Sequence, residues 1–280
     1  MSAVAQAKRI VVKVGTSTLT YENGKLNLRR TEELCKVLSD LHNSGLEVVL
    51  VSSGAVGVGM GKLGIKERPT ETEKKQAIAA VGQCELMFMY DKLFGEYNCM
   101  VAQVLLTADV TASENSKRNV ENTFRELLNM DIIPVVNEND TVSTDEIEFV
   151  NTFGDNDTLS ALVAALVDAD MLILLSDIDG LFTDDPNVNP NAEFIDVVEK
   201  LDDHLMKMGK GSTGSKVGTG GMATKLSAAR IATGAGADMV IANGADFHVI
   251  HKIMQGRKYG TLFLADKKEQ DILQELFENL

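Results

Sequence analysis

A glycine-rich segment that ends at Lys225 has the composition of a phosphate-binding loop. It reads GKGSTGSKVGTGGMATK over 209–225 and runs into a stretch with helical periodicity at 222–235. Glycines let backbone N–H groups approach an anion closely, and the first N–H groups of a helix have no partner within that helix. Because the chain contains no G-x-x-x-x-G-K-[ST] motif, this segment predicts a nucleotide site of a different architecture.

A second cationic candidate, Lys13, lies near the end of the first predicted strand in K-V-G-T-S. A lysine inside a buried strand is costly unless an anion accompanies it, whereas a lysine on an edge strand would extend into solvent. Gly15, Thr16 and Ser17 follow at once and offer close backbone approach and hydroxyl donors. The pattern favours contact between Lys13 and a phosphate group.

Three polar clusters, at 52–55, 137–140 and 154–157, are candidates for a substrate site. They read S-S-G-A, N-E-N-D and G-D-N-D. Helix capping by Asp155 or Asn156 would explain one such cluster on its own. Asparagine amides also donate to carboxylates and accept from ammonium groups, which suits an amino-acid substrate. The candidate substrate-binding residues are Ser53, Gly54, Ala55, Asn137, Asp140, Asp155 and Asn156.

Two further segments are rich in glycine or aspartate. A G-x-G-x-x-G pattern at 59–64 starts too far after its strand to be a dinucleotide fingerprint, and Gly57 and Gly59 favour close packing of a helix on the sheet. The segment S-D-I-D-G-L-F-T-D-D-P at 176–186 places aspartates where they can meet a ribose or a metal-bound phosphate.

No convincing general base accompanies these motifs. This is consistent with a carboxylate acceptor, whose reference pKa of about 4 leaves it ionised at pH 7. Phosphoryl transfer to such an acceptor needs positioning and charge stabilisation rather than proton removal.

Short apolar runs alternate with helical stretches along the chain. The order predicts an open, doubly wound α/β fold with a mainly parallel sheet, in which ligands lie at the carboxyl ends of the strands. The predicted strands are 10–14, 46–51, 99–105, 132–136, 171–175 and 239–241, and the predicted helices are 29–43, 73–95, 117–130, 156–167 and 222–235.

Bulk composition excludes several classes of function. A formal net charge of −14 argues against a nucleic-acid partner or an anionic membrane surface. The three cysteines are widely spaced, no signal peptide is recognised, and the apolar runs are too short to span a bilayer, so a cytoplasmic protein is expected. His248 and His251 lack an evident third ligand, so no zinc or other protein-held metal site is predicted.

Together these motifs, in this order, resemble the amino acid kinase family over roughly residues 8–265. The resemblance implies an αβα sandwich with an open, mainly parallel central sheet. It implies one amino acid kinase domain over 1–280, with an amino-acid-substrate half at 1–167 and a nucleotide-binding half at 168–265. A C-terminal helix is expected at 266–280.

The resemblance also implies an activity and roles for single residues. The expected reaction is ATP-dependent phosphorylation of the γ-carboxylate of L-glutamate, the first step of proline biosynthesis, with Mg²⁺ as cofactor. Lys13 and Lys225 would stabilise the transferred phosphoryl group and Asp157 would orient both lysines. The implied nucleotide-binding residues are Lys13, Gly15, Ser176, Asp177, Thr219, Gly220, Gly221, Met222, Ala223, Thr224 and Lys225.

Family behaviour further implies a homo-oligomer that is inhibited by proline. Many relatives carry a C-terminal PUA domain, and this sequence resembles the form without one. Relatives often have a lysine just before G-D-N-D, whereas the segment 143–153 has none here. Alternatives are a kinase of N-acetylglutamate, aspartate, carbamate or another small acid, and a non-catalytic sensor of amino acids.

Overall fold

The computed structural model describes residues 6–21, 23–107, 113–142, 156–184, 186, 188–202, 205–206 and 221–266. The strands are β1 Arg9–Val14, β2 Glu47–Ser52, β3 Met100–Leu106, β4 Ile132–Glu138, β5 Met171–Ser176, β6 Leu181–Phe182, β7 Phe194–Ile195, β8 Val197–Val198, β9 Asp238–Asn243 and β10 Thr261–Phe263. The helices are α1 Thr16–Leu19, α2 Leu28–Asn43, α3 Ala55–Leu63, α4 Thr72–Gly95, α5 Glu114–Asn129, α6 Asn156–Leu166, α7 Met222–Ala235 and α8 Val249–Met254.

Eight of these strands form one sheet in the order β3-β4-β2-β1-β5-β9-β10-β8. Neighbouring strands are parallel except for the antiparallel pair β9 and β10. Helices cover both faces, which confirms the predicted sandwich. All six predicted strands and all five predicted helices are present, with boundaries moved by a residue or a few.

Alternation along β1 divides the core between the two faces of the sheet. Ile10, Val12 and Val14 pack into a cluster that includes residues of α2, α4 and α8, whereas Val11 packs into a cluster with α5, α6 and α7. A strand reverses its side-chain direction at every residue, so a polar residue at a strand end is directed to a helix layer by its parity. Lys13 shares the parity of Val11 and therefore points to α6 and α7.

Glycines bring α3 and α4 into backbone contact. A Cβ added at Gly59 would lie 2.1 Å from the carbonyl oxygen of Ile78, and one added at Gly82 would lie 1.8 Å from that of Ala55. The prediction that Gly59 packs a helix on the sheet is therefore wrong, because its neighbour is another helix. Gly57 instead faces the side chain of Thr16 in α1.

Several short elements had no predicted counterpart, among them α8 and the strands β8 and β10. Their lengths of six, two and three residues are too short to show periodicity. The expected C-terminal helix lies almost wholly outside the described residues. Among the described helices, none combines the length and apolar character needed to cross a bilayer.

Candidate active site

Two buried lysines meet one buried aspartate at the carboxyl end of the sheet. Lys13 Nζ lies 2.5 Å from Asp157 Oδ1, and Lys225 Nζ lies 3.0 Å from Asp157 Oδ2. Asp157 is 0% exposed, and each lysine is 6% exposed. Since each carboxylate oxygen binds a different ammonium group, one anion holds two positive charges side by side. The trio carries an excess of positive charge away from water, which favours binding of an additional anion.

Each member of this trio comes from a different element. Lys13 is in β1, a central strand, so the alternative of an edge-strand lysine reaching solvent does not apply. Asp157 is in the first turn of α6, where the helix dipole favours a negative charge. Lys225 is in the first turns of α7, which follows Gly221. The tertiary fold thus joins residues separated by up to 212 positions, between 13 and 225.

The lysines also control the protonation of Asp157. Burial alone would raise the pKa of its carboxyl group, but the adjacent ammonium charges and their hydrogen bonds outweigh burial and hold that pKa below its usual value. Asp157 therefore remains a carboxylate at neutral pH and keeps both lysines in place.

A chain of amide hydrogen bonds lies beside this centre. Asn156, the residue before Asp157, donates from Nδ2 to Ser53 Oγ at 2.6 Å and to Asn137 Oδ1 at 3.2 Å. Ser53 continues the β-ladder through its N–H, which donates to Val14 O at 3.1 Å. Ser53 thereby keeps the parity of Val51 and faces α6. Three of the predicted substrate residues are thus brought together.

Helix α4 adds two residues that the sequence interpretation missed. Gln83 accepts a 2.8 Å hydrogen bond from Asn137 Nδ2 through Oε1. The Tyr90 hydroxyl lies 2.6 Å from Ser52 Oγ, and this buried pair involves the residue just before Ser53. Both residues sit in a predicted helix whose apolar periodicity carries no sign of a site. The one sequence signal that could have found them is strand alternation. Ser52 and Asn137 alternate in phase with residues that pack on the α4 side of the sheet, so their side chains point to α4.

Asp140 stands in a turn after β4. Asn139 N donates to Leu106 O at 2.8 Å and Thr141 Oγ1 donates to Asn139 Oδ1 at 2.6 Å, which fixes the turn. Partial burial raises the pKa of Asp140 above its usual value, although the charge of Arg68 lowers it in part. Within the described residues the Asp140 carboxylate has no hydrogen-bond donor, so it is a suitable partner for the ammonium group of a ligand.

Gly54 and Ala55 form the start of α3. Gly54 has φ 111°, a left-handed conformation that a β-carbon would strain, and it precedes the first turn of the helix. The first N–H groups of α3 have no partner within the helix and point to the same end of the sheet as Ser53.

The predicted nucleotide residues are only partly described. Ser176 and Asp177 follow β5, where Ser176 Oγ donates to Asp177 Oδ1 at 3.1 Å. A Cβ added at Gly15 would lie 3.9 Å from Lys13 Nζ, so the absence of a side chain leaves room beside the ammonium group. Met222, Ala223 and Thr224 form the first turn of α7 after Gly221. Thr219, Gly220 and Asp155 lie outside the described residues.

The aspartate of the buried trio is already paired with cations, and the candidate metal ligands among the described residues lie elsewhere. Both oxygens of Asp157 are occupied by lysines. One trio among the described residues, Glu33, Asp246 and His248, could offer three ligand atoms within 4.8 Å of one another. It is exposed or half-buried and lines a separate cavity of about 610 Å³. None of the predicted site residues lines that cavity, and His251 pairs with Asp40 at 2.8 Å instead.

Sequence comparison places the chain among known enzymes. The family model described as the amino acid kinase family matches residues 8–243. A glutamate 5-kinase from Clostridium perfringens is 55% identical over 267 residues, covering 95% of this chain and 99% of that protein. A glutamate 5-kinase from Enterococcus faecalis is 49% identical over 266 residues, covering 95% of this chain and 98% of that protein.

Structural comparison finds the same fold in more distant proteins. A UMP kinase from Ureaplasma parvum superposes with a TM-score of 0.62 at 15% identity, covering 92% of this chain and 98% of that one. An isopentenyl phosphate kinase from T. acidophilum gives a TM-score of 0.58 at 16% identity, covering 91% of this chain and 99% of that one. These identities show the fold alone. The family model and the relatives cover most of the chain, and the chain therefore belongs to the amino acid kinase family.

Proposed function

We propose that this protein is a glutamate 5-kinase, which transfers the γ-phosphoryl group of ATP to the γ-carboxylate of L-glutamate. The observation that carries the proposal is Asp157, a buried carboxylate that holds Lys13 and Lys225 together at the carboxyl end of the sheet. The similarity to glutamate 5-kinases over 95% of the chain supports glutamate as the acceptor. The reaction is the first step of proline biosynthesis.

In the reaction, an oxygen of the γ-carboxylate forms a bond to the γ-phosphorus of ATP. The bond from that phosphorus to the β–γ bridging oxygen breaks, and its electron pair leaves with ADP. The acceptor is already ionised, so no protein group has to remove a proton. The products are γ-glutamyl phosphate and ADP.

Lys13 and Lys225 stabilise the charge on the oxygens of the phosphoryl group during transfer. Fixed charges in a site closed to water act more strongly than the same charges in solvent, and they need no reorganisation as the reaction proceeds. Asp157 opposes the mutual repulsion of the two ammonium groups and so holds them side by side. Removing one such donor typically costs about 3–4 kcal/mol in the transition state.

Glutamate is held by the amide network and by Asp140. The Ser53 hydroxyl and the first N–H groups of α3 at Gly54 and Ala55 are donors for the α-carboxylate. The Asp140 carboxylate and the Asn156 carbonyl are acceptors for the α-ammonium group, and a bound ammonium would relieve the unfavourable burial of Asp140. Asn137 and Asp155 complete the proposed substrate site.

The nucleotide lies on the other half of the sheet. Strands from 1–167 occupy one side of the β1–β5 boundary and strands from 168–265 the other, which supports a division into a glutamate half and an ATP half. Gly15, Ser176, Asp177 and the segment 219–225 are proposed to bind ATP. Mg²⁺ bound to the phosphates would neutralise part of their charge.

Further properties follow from the family assignment. We expect a homo-oligomer that works in the cytoplasm and is inhibited by proline, which shares the α-carboxylate and the amino group of glutamate. The net charge of −14 supports the absence of nucleic-acid and membrane partners.

Trapping with hydroxylamine tests the reaction directly. Hydroxylamine converts an acyl phosphate into a hydroxamate, which iron(III) colours, so incubation with glutamate and Mg-ATP should give colour and an equal amount of ADP. Parallel reactions contain N-acetylglutamate, aspartate or carbamate as acceptors. Faster turnover of one of these would reassign the substrate. Stabilisation by glutamate without any ADP release would identify a sensor instead of a kinase.

A further inference from the structure

Among the described hydrogen bonds, helix α4 reaches the amides of the proposed glutamate site through the side chain of Gln83. The close contact between α3 and α4 at Gly59 and Gly82 fixes the position of α4 along its axis. Gln83, the residue after Gly82, is thereby held beside the buried Asn137, which is 2% exposed. Gln83 makes no described hydrogen bond to Lys13, Asp157 or Lys225, the residues of the proposed phosphoryl centre. Its effect on the site therefore passes through Asn137.

The hydrogen bonds between these amides run in one direction. Gln83 Oε1 accepts from Asn137 Nδ2, and Asn137 Oδ1 accepts from Asn156 Nδ2. An asparagine amide has one accepting and one donating end, so rotating Asn137 by half a turn would bring two oxygens together at Gln83. While Gln83 presents its oxygen, Asn137 is held in this orientation, and Asn137 in turn holds that of Asn156.

The direction of these hydrogen bonds determines which donor and acceptor atoms face the substrate. The Asn156 amino group is used by Asn137 and by Ser53 Oγ. Its Oδ1 has no donor among the described residues and is available to an incoming donor. Ser53 accepts from Asn156, so its own hydroxyl hydrogen is available to an incoming acceptor. One donor and one acceptor are presented side by side, as the α-carboxylate and α-ammonium of an amino acid require.

We propose that Gln83 is a positioning residue that sets the orientation of the Asn137 and Asn156 amides and thereby selects acceptors with a free α-ammonium group. The proposal rests on the proposed function and adds a specificity determinant to it. A reversed network would present an amino group at Asn156, which would repel an ammonium. An N-acylated acceptor lacks the ammonium charge and has a single N–H, so the network as built discriminates against it.

Two substitutions at Gln83 distinguish the effect of its accepting oxygen from the effect of its size. Gln83→Met keeps the length but removes the acceptor, and we expect the KM for glutamate to rise roughly 10-fold because Asn137 loses a buried partner. The KM for ATP should change little, and the melting temperature should fall by at most a few degrees. Gln83→Glu keeps accepting oxygens and should retain a KM for glutamate near that of the wild type.

The matched control is Gln255→Met at an exposed position after α8, which should leave all parameters unchanged. An unaltered KM for glutamate in Gln83→Met would overturn the proposal. Equal impairment of Gln83→Glu and Gln83→Met would also overturn it, since Gln83 would then act as a donor or only by packing. Absence of glutamate turnover in the wild type would instead refute the proposed function itself, and with it the substrate assigned to the network.

A double substitution tests the direction of the chain independently. In Asn137→Asp, Gln83 can turn its amino group to the new carboxylate, so glutamate binding should be retained in part. In Asn137→Asp combined with Gln83→Glu, two carboxylates face each other. We expect the combined loss in kcat/KM for glutamate to exceed the product of the single losses at least 5-fold. A purely multiplicative result would show that the two amides are not coupled and would overturn the proposal.

Discussion

The proposed phosphoryl centre (Lys13, Asp157 and Lys225) and the proposed glutamate site lie next to each other but are built from different kinds of groups. The phosphoryl centre consists of charged side chains that are almost fully buried and share one carboxylate. The proposed glutamate site consists mainly of neutral amides and a hydroxyl, and Asp140, its carboxylate within the described residues, is half-buried. Charge that must act on a transition state is fixed before substrate arrives, whereas groups that recognise a substrate keep free donors and acceptors.

Adjacent residues divide the two tasks. Asn156 and Asp157 are consecutive in α6, yet the first belongs to the amide network and the second holds the lysines. Any displacement of the first turn of α6 would therefore alter both sites together. Substitutions that change one side chain without moving the helix are the means to separate them.

The largest effect is expected for Asp157→Asn. The change leaves two buried ammonium groups without their anion, and breaking a buried ion pair typically costs about 3–5 kcal/mol. We expect kcat to fall more than about 10³-fold and the free energy of unfolding to drop by a similar few kcal/mol. Steady-state kinetics and urea denaturation measure the two quantities.

The pH dependence of stability provides the control for Asp157→Asn. The folded-state pKa of Asp157 lies below its unfolded value, so its contribution is present above that unfolded value and is lost as the pH falls through the folded pKa. The stability difference between the wild type and Asp157→Asn should therefore shrink in strong acid. A difference that stays constant down to the lowest pH would mean that Asp157 is not the ionised partner.

Removal of either lysine should affect the chemical step more than substrate binding. In Lys13→Ala and Lys225→Ala we expect kcat to fall about 10²–10³-fold, with much smaller changes in the KM for glutamate. Lys62→Ala, which removes an exposed lysine paired with Glu85 in α4, is the control. Near-normal turnover in either active-site variant would remove that lysine from the mechanism.

At the glutamate site, Asp140→Ala should mainly weaken binding. Loss of a charged partner for the ammonium group predicts a rise of about 10–100-fold in the KM for glutamate, with kcat less affected. Because the pKa of Asp140 is raised, the wild type should begin to lose glutamate affinity at a higher pH than it would with an ordinary aspartate. Asp140→Asn should lack this part of the pH dependence. An unchanged KM would place the amino-acid site elsewhere.

The smallest effect on glutamate binding is expected for Tyr90→Phe, next to Ser53. Tyr90→Phe removes the hydroxyl that pairs with Ser52 and leaves a buried Ser52 oxygen short of its main partner. We expect a loss of about 1 kcal/mol in the free energy of unfolding, measured with urea, and a change of a few fold in the KM for glutamate. Tyr259→Phe, at a 41% exposed position, should be neutral by comparison.

Much of this architecture was accessible from the sequence because its signals are local. Continuous apolar runs such as 171–175 identify strands covered on both faces, and the glycine at 221 with the periodic stretch after it identifies α7. The polar residues that directly follow predicted strands, at 15–17, 52–54, 137–140 and 176–177, indicated one site at the carboxyl ends of the strands. The contact between Gly59 and Ile78 was misjudged because glycine shows that something approaches closely but not which element does so.

The sequence by itself determined which residues carry charge and the order of the main strands and helices. Only the tertiary structure decided that one carboxylate serves two lysines 212 positions apart in sequence, and that Gln83 accepts a hydrogen bond from Asn137. The physical reason is that side-chain type and periodicity act over a few residues, whereas ion pairs and amide orientation depend on distances of about 3 Å between distant segments. Those distances exist only after the sheet order and the close packing of α3 on α4 have been established.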